Sequence, residues 1–293
     1  MTFRFCLFFV VTWLIWLAAL PLGGGVLAQD ASQASEKPVI EWHFKDLPPA
    51  HVFNGADRRQ GFADRTVAYF IDRLPAYRHV ILEVPHSRLI TELRRTDGVC
   101  SATILKTPDR EKDIVFSKPV FKIFPLRLVL LKDKVAAIAP FMNDDDEVDL
   151  PQLIRNGSFR LGLISSRSYG TRMDTLLHMV NAKDKAFISP YERFAPMMAR
   201  GRFDITLAYP FEAGYQFKSL TNHVPYATLA ISGENQFTEV GLSCAKTPLG
   251  ERVIADVDRI VEAEGVAPAY AAFYEEWLDD RAREEYRAVL DTN

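Results

Sequence analysis

The chain has 293 residues, with 35 Lys and Arg against 38 Asp and Glu for a formal net charge of −3. Its 48% hydrophobic and 25% charged residues are an ordinary globular balance, which excludes collagen-like, low-complexity and wholly disordered chains. The near-neutral charge removes the global basic field of a nucleic-acid binder, and three cysteines are too few for a disulfide scaffold.

Residues 1–4 carry one cation, Arg4, and residues 5–20 then run without a charge. Pro21 and Gly23 to Gly25 break any helix, and Val26-Leu27-Ala28 sets small residues before a cut. This is the order of a secretory signal peptide, predicted over 1–28 with Gln29 as the mature terminus. The alternative, an uncleaved anchor, needs a longer apolar run. Residues 29–35, rich in Ser, Ala and Gln, read as a disordered leader. The expected location is the periplasm, where disulfides persist. Cys100 and Cys244 are the cysteines left after cleavage, and the sequence leaves open whether they bond.

Short apolar runs then alternate with amphipathic ones. Residues 39–44 read as a strand, 61–74 as a helix and 80–84 as a strand. Ser87 is a candidate cap for a helix to 95, Asp97-Gly98 marks a turn, and 99–105 read as a third strand. This alternation predicts a parallel sheet with right-handed crossovers. The pattern restarts with a strand at 126–131, a loop with an acidic run at 143–147, and a short helix capped by Asp149. Strands follow at 159–164, 186–188 and 203–208, with helices at 171–180 and 191–199 between them. Strands at 226–231 and 239–244 and helices at 249–264 and 268–278 complete the chain.

The chain contains no phosphate-binding Gly-Lys loop, no dinucleotide fingerprint and no nucleophile elbow. No histidine pair has metal-ligand spacing and there is no Cys-x-x-Cys, so neither metal nor cofactor is expected. The run Asn143 to Glu147 lacks the turn glycine of a calcium loop and reads as a solvated face. The informative segment is 101–121. A strand ends near Leu105, Thr107-Pro108 turns the chain, and Arg110 follows. At the carboxyl end of a parallel strand an arginine faces the crevice where open α/β sheets bind ligands, and it can pair bidentately with a carboxylate or phosphate. Locally it reads equally as a surface residue paired with Asp109, Glu111 or Asp113.

Thr107, Arg110, Phe116, Ser117 and Pro119 match the Thr-x-x-Arg…Phe-Ser-x-Pro-Tyr signature, with Val120 in place of its aromatic and Phe121 one residue beyond. On them the chain resembles the type 2 periplasmic solute-binding proteins, family 3, the polar amino acid branch of ABC transporter receptors. Pro48-Pro49, Gly61-Phe62, Asp149-Leu150, the 165–170 turn and Phe203-Asp204 follow in the family's order. The resemblance implies a two-lobed α/β fold crossed twice by the chain, with lobe 1 at 36–125 plus 227–293 and lobe 2 at 126–226. Strands near 124–131 and 226–231 would be the crossovers. It implies that Arg110 holds a ligand carboxylate with Thr103 beside it and Ser168 and Tyr169 opposite. The family's aromatic walls correspond to Leu47 and His86, with Trp42 and Phe44 as possible substitutes. Tyr209 stands where amino-acid binders carry an ammonium-binding aspartate, and Glu212 is expected on a different face. The implied function is capture of a small polar or anionic solute, amino-acid-like or a carboxylate, by a monomer that meets an ABC transporter permease. A sensory or accessory module acting through a membrane receptor is the alternative. An exported enzyme using groups such as His86 and Glu192 is a more distant one, and no enzymatic activity is expected.

Overall fold

The structure is a computed structural model that describes residues 37–164, 167, 169–188, 194–265 and 268–292. The signal peptide, the leader, Ser168 and Glu192 lie outside the described residues. The first run is β1 (Val39–Phe44), α1 (Phe62–Arg73), β2 (Arg78–Glu83), α2 (His86–Leu93) and β3 (Val99–Ser101). Strand β1 pairs in parallel with both β2 and β3, as the alternation predicts. Next come β4 (Ile114–Ile123), β5 (Arg127–Leu131), α3 (Val135–Ile138), α4 (Leu150–Asn156), β6 (Leu161–Ile164), α5 (Thr171–His178) and β7 (Lys185–Ile188). The rest is α6 (Phe194–Ala199), β8 (Ile205–Ala208), α7 (Pro210–Lys218), β9 (Tyr226–Leu229), β10 (Thr238–Ala245), α8 (Pro248–Glu264), α9 (Ala271–Glu275) and α10 (Asp280–Thr292).

Two five-stranded sheets result, in the orders β2-β1-β3-β10-β4 and β7-β6-β8-β5-β9. Each is covered on both faces, giving the two-lobed α/β architecture. Successive strand residues point to opposite faces, so Leu128 and Leu130 of β5 join one core and Val129 the other. Trp42, Phe44, Phe62, Phe70 and Phe121 anchor the main core of the first lobe. Burial of each such side chain contributes about 1.5–3 kcal/mol.

Several elements differ from the sequence expectation. Strand β3 stops at Ser101 because Ala102 enters one core and Ile104 another, which a continuous strand does not allow. Strand β4 is unanticipated, since Ser117-Lys118-Pro119 interrupts its apolar alternation. The interruption is accommodated by register shifts opposite Gly241, and Ser117 Oγ accepts the Leu242 N–H at 2.9 Å. Helix α2 starts after Pro85 with no side-chain cap, so Ser87 does not cap it. Helices α7 and α10 were hidden by Tyr209-Pro210 and by the charge of the last segment. Strand β9 pairs with β5, so the second sheet extends to Leu229 and the expected return at residue 227 falls too early.

The chain passes between sheets at residues 124–126 and 230–237, and its last segment braces both passages. Phe124 donates its N–H to Tyr274 Oη at 2.9 Å. Arg127 donates to Glu285 at 2.6 Å and stacks on Phe124. The Thr228 hydroxyl donates to Asp279. Trp277 packs on α7, its ring 5.9 Å from that of Tyr215 and 4.4 Å from Lys218 Nζ. Gly214 permits this approach, since a Cβ there would lie 2.0 Å from the Trp277 carbonyl oxygen. Cys100 and Cys244 stand directly opposite each other across β3 and β10 and are joined by a disulfide.

Candidate ligand-binding cleft

A cavity of about 210 Å³ opens at the carboxyl ends of β1, β3 and β8. Its floor is apolar, built from Leu47, Ala50, Phe62, Phe121, Ile123, Phe211 and Val240, and its polar lining is Lys45, Thr103, Tyr209 and Glu212. Phe62 from the first lobe meets Phe211 from α7 edge-on, with ring centroids 5.5 Å apart, so the floor is where the lobes touch.

Loop 45–51 carries Lys45, Leu47 and Ala50, and a buried polar network holds it. The Asp64 carboxylate accepts from His51 Nδ1 at 2.8 Å, Val52 N–H at 3.1 Å and Gly61 N–H at 3.2 Å. The His51 ring stacks on Phe44 at 3.8 Å. Burial, more than any neighbouring charge, pushes the His51 pKa down, so the ring is neutral and donates through Nδ1. Lys45 follows β1 directly, and burial followed by the charge of Arg110 lowers its pKa.

Thr107 shapes the turn that presents Arg110. Its carbonyl accepts the Glu111 N–H at 3.0 Å and its hydroxyl accepts the Arg110 N–H at 3.4 Å. The guanidinium donates to the Leu105 carbonyl at 2.7 Å, at the edge of the cavity that Leu105 lines. The three acids that offered Arg110 a surface pairing are engaged elsewhere. Asp109 pairs with Arg94 and Lys112, Asp113 with Arg94, and Glu111 with Lys106. Neither Lys45 nor Arg110 has a carboxylate partner among the described residues. The Thr103 hydroxyl oxygen is buried without a hydrogen-bond partner. His86 is exposed at the start of α2. Partial burial and then the charges of Lys45 and Arg110 lower its pKa, which sets it beside this cationic group.

The opposite wall is the junction of β8 and α7. Tyr209 is the N-cap of α7, and Glu212, three residues in, folds back so that its Oε2 accepts the Tyr209 N–H at 3.1 Å. That bond from Glu212 back to the N-cap is why Glu212 lines the cleft rather than the different face expected for it. Arg167 grips the Glu212 carboxylate with two bonds of 3.0 and 3.2 Å. The Tyr209 ring stacks on Phe211 at 5.3 Å, and burial raises its pKa.

Of the other residues selected from sequence, Trp42 and Phe44 are fully buried. Trp42 donates its indole N–H to His79 at 3.2 Å. Strand β1 turns both rings into the core, so neither substitutes for the missing aromatic walls. Tyr169 lies with Arg167, Asp174 and Phe187 around a separate cavity of the second lobe, where its hydroxyl accepts the Ile164 N–H at 2.8 Å. Thr103 and Tyr209 therefore line the cleft and Arg110 stands at its edge on Leu105, and Trp42, Phe44 and Tyr169 do not line it. Lys45, Arg167 and Glu212 were missed. The signal for Lys45 was its place immediately after β1, where strand carboxyl ends face ligands. Among the described residues no group of three metal-binding side chains exists, and no helix is long and apolar enough to cross a membrane.

Neither a protein-family model nor a curated protein matches the chain. Solved structures match its fold. The probable amino-acid ABC transporter extracellular-binding protein ytmK from Bacillus subtilis is 18% identical, with a TM-score of 0.58 over 84% of this chain and 100% of that one. The L-cystine solute receptor of Neisseria gonorrhoeae, in its unliganded open conformation, is 12% identical, with a TM-score of 0.59 over 83% and 93%. The periplasmic VFT2 domain of Bordetella pertussis BvgS is 13% identical, with a TM-score of 0.53 over 82% and 94%. These likenesses establish a shared two-lobed periplasmic-binding-protein-like fold.

Proposed function

We propose that this protein is an exported, monomeric solute-binding protein that captures a small anionic ligand between its lobes and presents it to an ABC transporter permease. The observation that carries this reading is Lys45 in the cleft lining and Arg110 at its edge on the Leu105 carbonyl, two cations with no carboxylate partner among the described residues, together with the buried, unsatisfied Thr103 hydroxyl that also lines the cleft. A buried polar group without a partner costs stability, and a ligand oxygen supplies that partner. Closure about the two passages at 124–126 and 230–237 buries the ligand and creates the surface a membrane partner recognises. The Cys100–Cys244 bond supports export to an oxidising compartment.

The test is a thermal-shift screen of the chain from Gln29 against amino acids, dicarboxylates, peptides and sugars. A ligand at a hundredfold its Kd stabilises the fold by about 2.7 kcal/mol, and a screen with no stabilising compound overturns the proposal. Arg110→Ala is expected to weaken that ligand by about 2 kcal/mol, roughly thirtyfold, by removing a charge-assisted contact. Arg110→Lys should recover only part, because an ammonium lacks the planar fork. Calorimetric titration reads both, and equal affinities in all three proteins would remove Arg110 from the site.

A further inference from the structure

The charges on the two cleft walls are unequal, and the inequality specifies a ligand class. We infer that the cleft selects a small organic dianion that carries no ammonium group. This inference rests on the capture reading above and narrows it.

The first lobe contributes Lys45 to the cavity lining and Arg110 at its edge, where the guanidinium holds the carbonyl of the lining residue Leu105; neither is paired with a carboxylate among the described residues, and Asp109, Glu111 and Asp113 are held by Arg94, Lys106 and Lys112. A half-buried lysine beside an arginine is repelled, and an anion placed between them relieves that repulsion. The second lobe contributes one carboxylate to the cavity lining, Glu212. Its Oε1 is taken by Arg167, and its Oε2 by Arg167 and the Tyr209 N–H together. Arg167 neutralises the Glu212 charge, so among the described residues no uncompensated carboxylate lines the cavity to meet an incoming ammonium.

A zwitterionic amino acid would match one cation with its carboxylate and bring its ammonium to a wall that already holds an unpaired positive charge. Like charges in a partly desolvated site discriminate strongly. A dianion meets Lys45 and Arg110 with one anionic group each, or both with a single doubly charged head. The apolar floor of Leu47, Phe62, Phe121, Ile123 and Phe211 fits a short carbon skeleton. Dicarboxylates and alkyl phosphonates share this chemistry.

Calorimetric titrations with succinate, glutarate, methylphosphonate, L-aspartate and L-glutamate test the inference and separate its two sources. At least one of the first three is expected to bind at least tenfold tighter than either amino acid. Lys45→Met should weaken that dianion at least tenfold, most steeply at low salt, while the ligand-free protein melts no lower than the wild type, since a repelled, half-buried charge is removed. An amino acid that equals or exceeds the dianions, or a Lys45→Met protein with unchanged affinity, overturns the inference and leaves solute capture standing. Failure of all five probes at millimolar concentration also overturns it, and capture then falls only if the wider screen finds no ligand.

Discussion

Replacing Cys100 and Cys244 together by alanine is expected to remove about 4 kcal/mol of folding stability. The two cysteines are 144 residues apart, and every strand of the second sheet, from Arg127 to Leu229, lies inside the loop they close. A cross-link over a loop of that length restricts the unfolded chain by about 5 kcal/mol in the chain-entropy account. Residual structure in the denatured ensemble lowers the realised value. Urea unfolding of the oxidised protein, the reduced protein and the double variant measures the effect. Both altered forms should also show a steeper dependence on urea, because the uncrosslinked chain exposes more surface. A loss below about 1 kcal/mol would show that pairing of β3 with β10 constrains the chain as well without the bond.

Arg127→Leu is expected to cost about 3 kcal/mol at pH 8, with the deficit shrinking as the pH falls. Arg127 is 4% exposed, donates to Glu285, and is the cation acting on buried Asp279. Burial, the largest influence, raises the pKa of Asp279. The bonds from Thr228 and the Ala282 N–H, and the charge of Arg127, oppose the rise, while Glu285 adds to it. A carboxyl whose folded pKa lies above its unfolded one lowers stability when ionised, so its penalty is full above the folded pKa. The penalty disappears as the pH falls to the unfolded pKa. Loss of Arg127 raises the folded value further and widens that window. Thermal unfolding between about pH 8 and pH 5 should show the variant approaching the wild type, and adding Asp279→Asn should recover stability at pH 8. A deficit independent of pH would assign the loss to packing on Phe124 alone.

How much of this was readable depends on the residue. The β-α-β-α-β run announces itself by alternating short and amphipathic segments, and strands β5, β6 and β8 are short apolar runs buried at nearly every position, so local sequence alone located them. Strand β4 did not, because a bulged strand opposite Gly241 tolerates Ser117 and Pro119 that a regular strand would refuse. At the cleft, Arg110 was marked by its place after a strand end and the bend Thr107 caps, and Thr103 only by the family resemblance. Lys45, Arg167 and Glu212 belong to three different loops or caps, and their meeting is a product of tertiary packing that no local pattern encodes. Trp42 and Phe44 show the converse. An aromatic on the right strand looked like a cleft wall, yet both rings belong to the core of the first lobe.

The packing of Trp277 against α7 equips the molecule with a natural optical gauge. Cleavage after Ala28 would remove Trp13 and Trp16 and leave two indoles. Trp42 is sealed in the interior of the first lobe, so its emission is a fixed baseline. Trp277 rests on Gly214, Tyr215 and Lys218, one to two turns from the Tyr209 and Glu212 that line the cleft. Any tilt of α7 as the lobes come together changes the distance from Lys218 to the indole ring, and a nearby cation shifts indole emission. On the proposed closure, the intrinsic fluorescence of the unlabelled protein is expected to follow the motion of the second lobe, and a stopped-flow trace at the tryptophan band would time it.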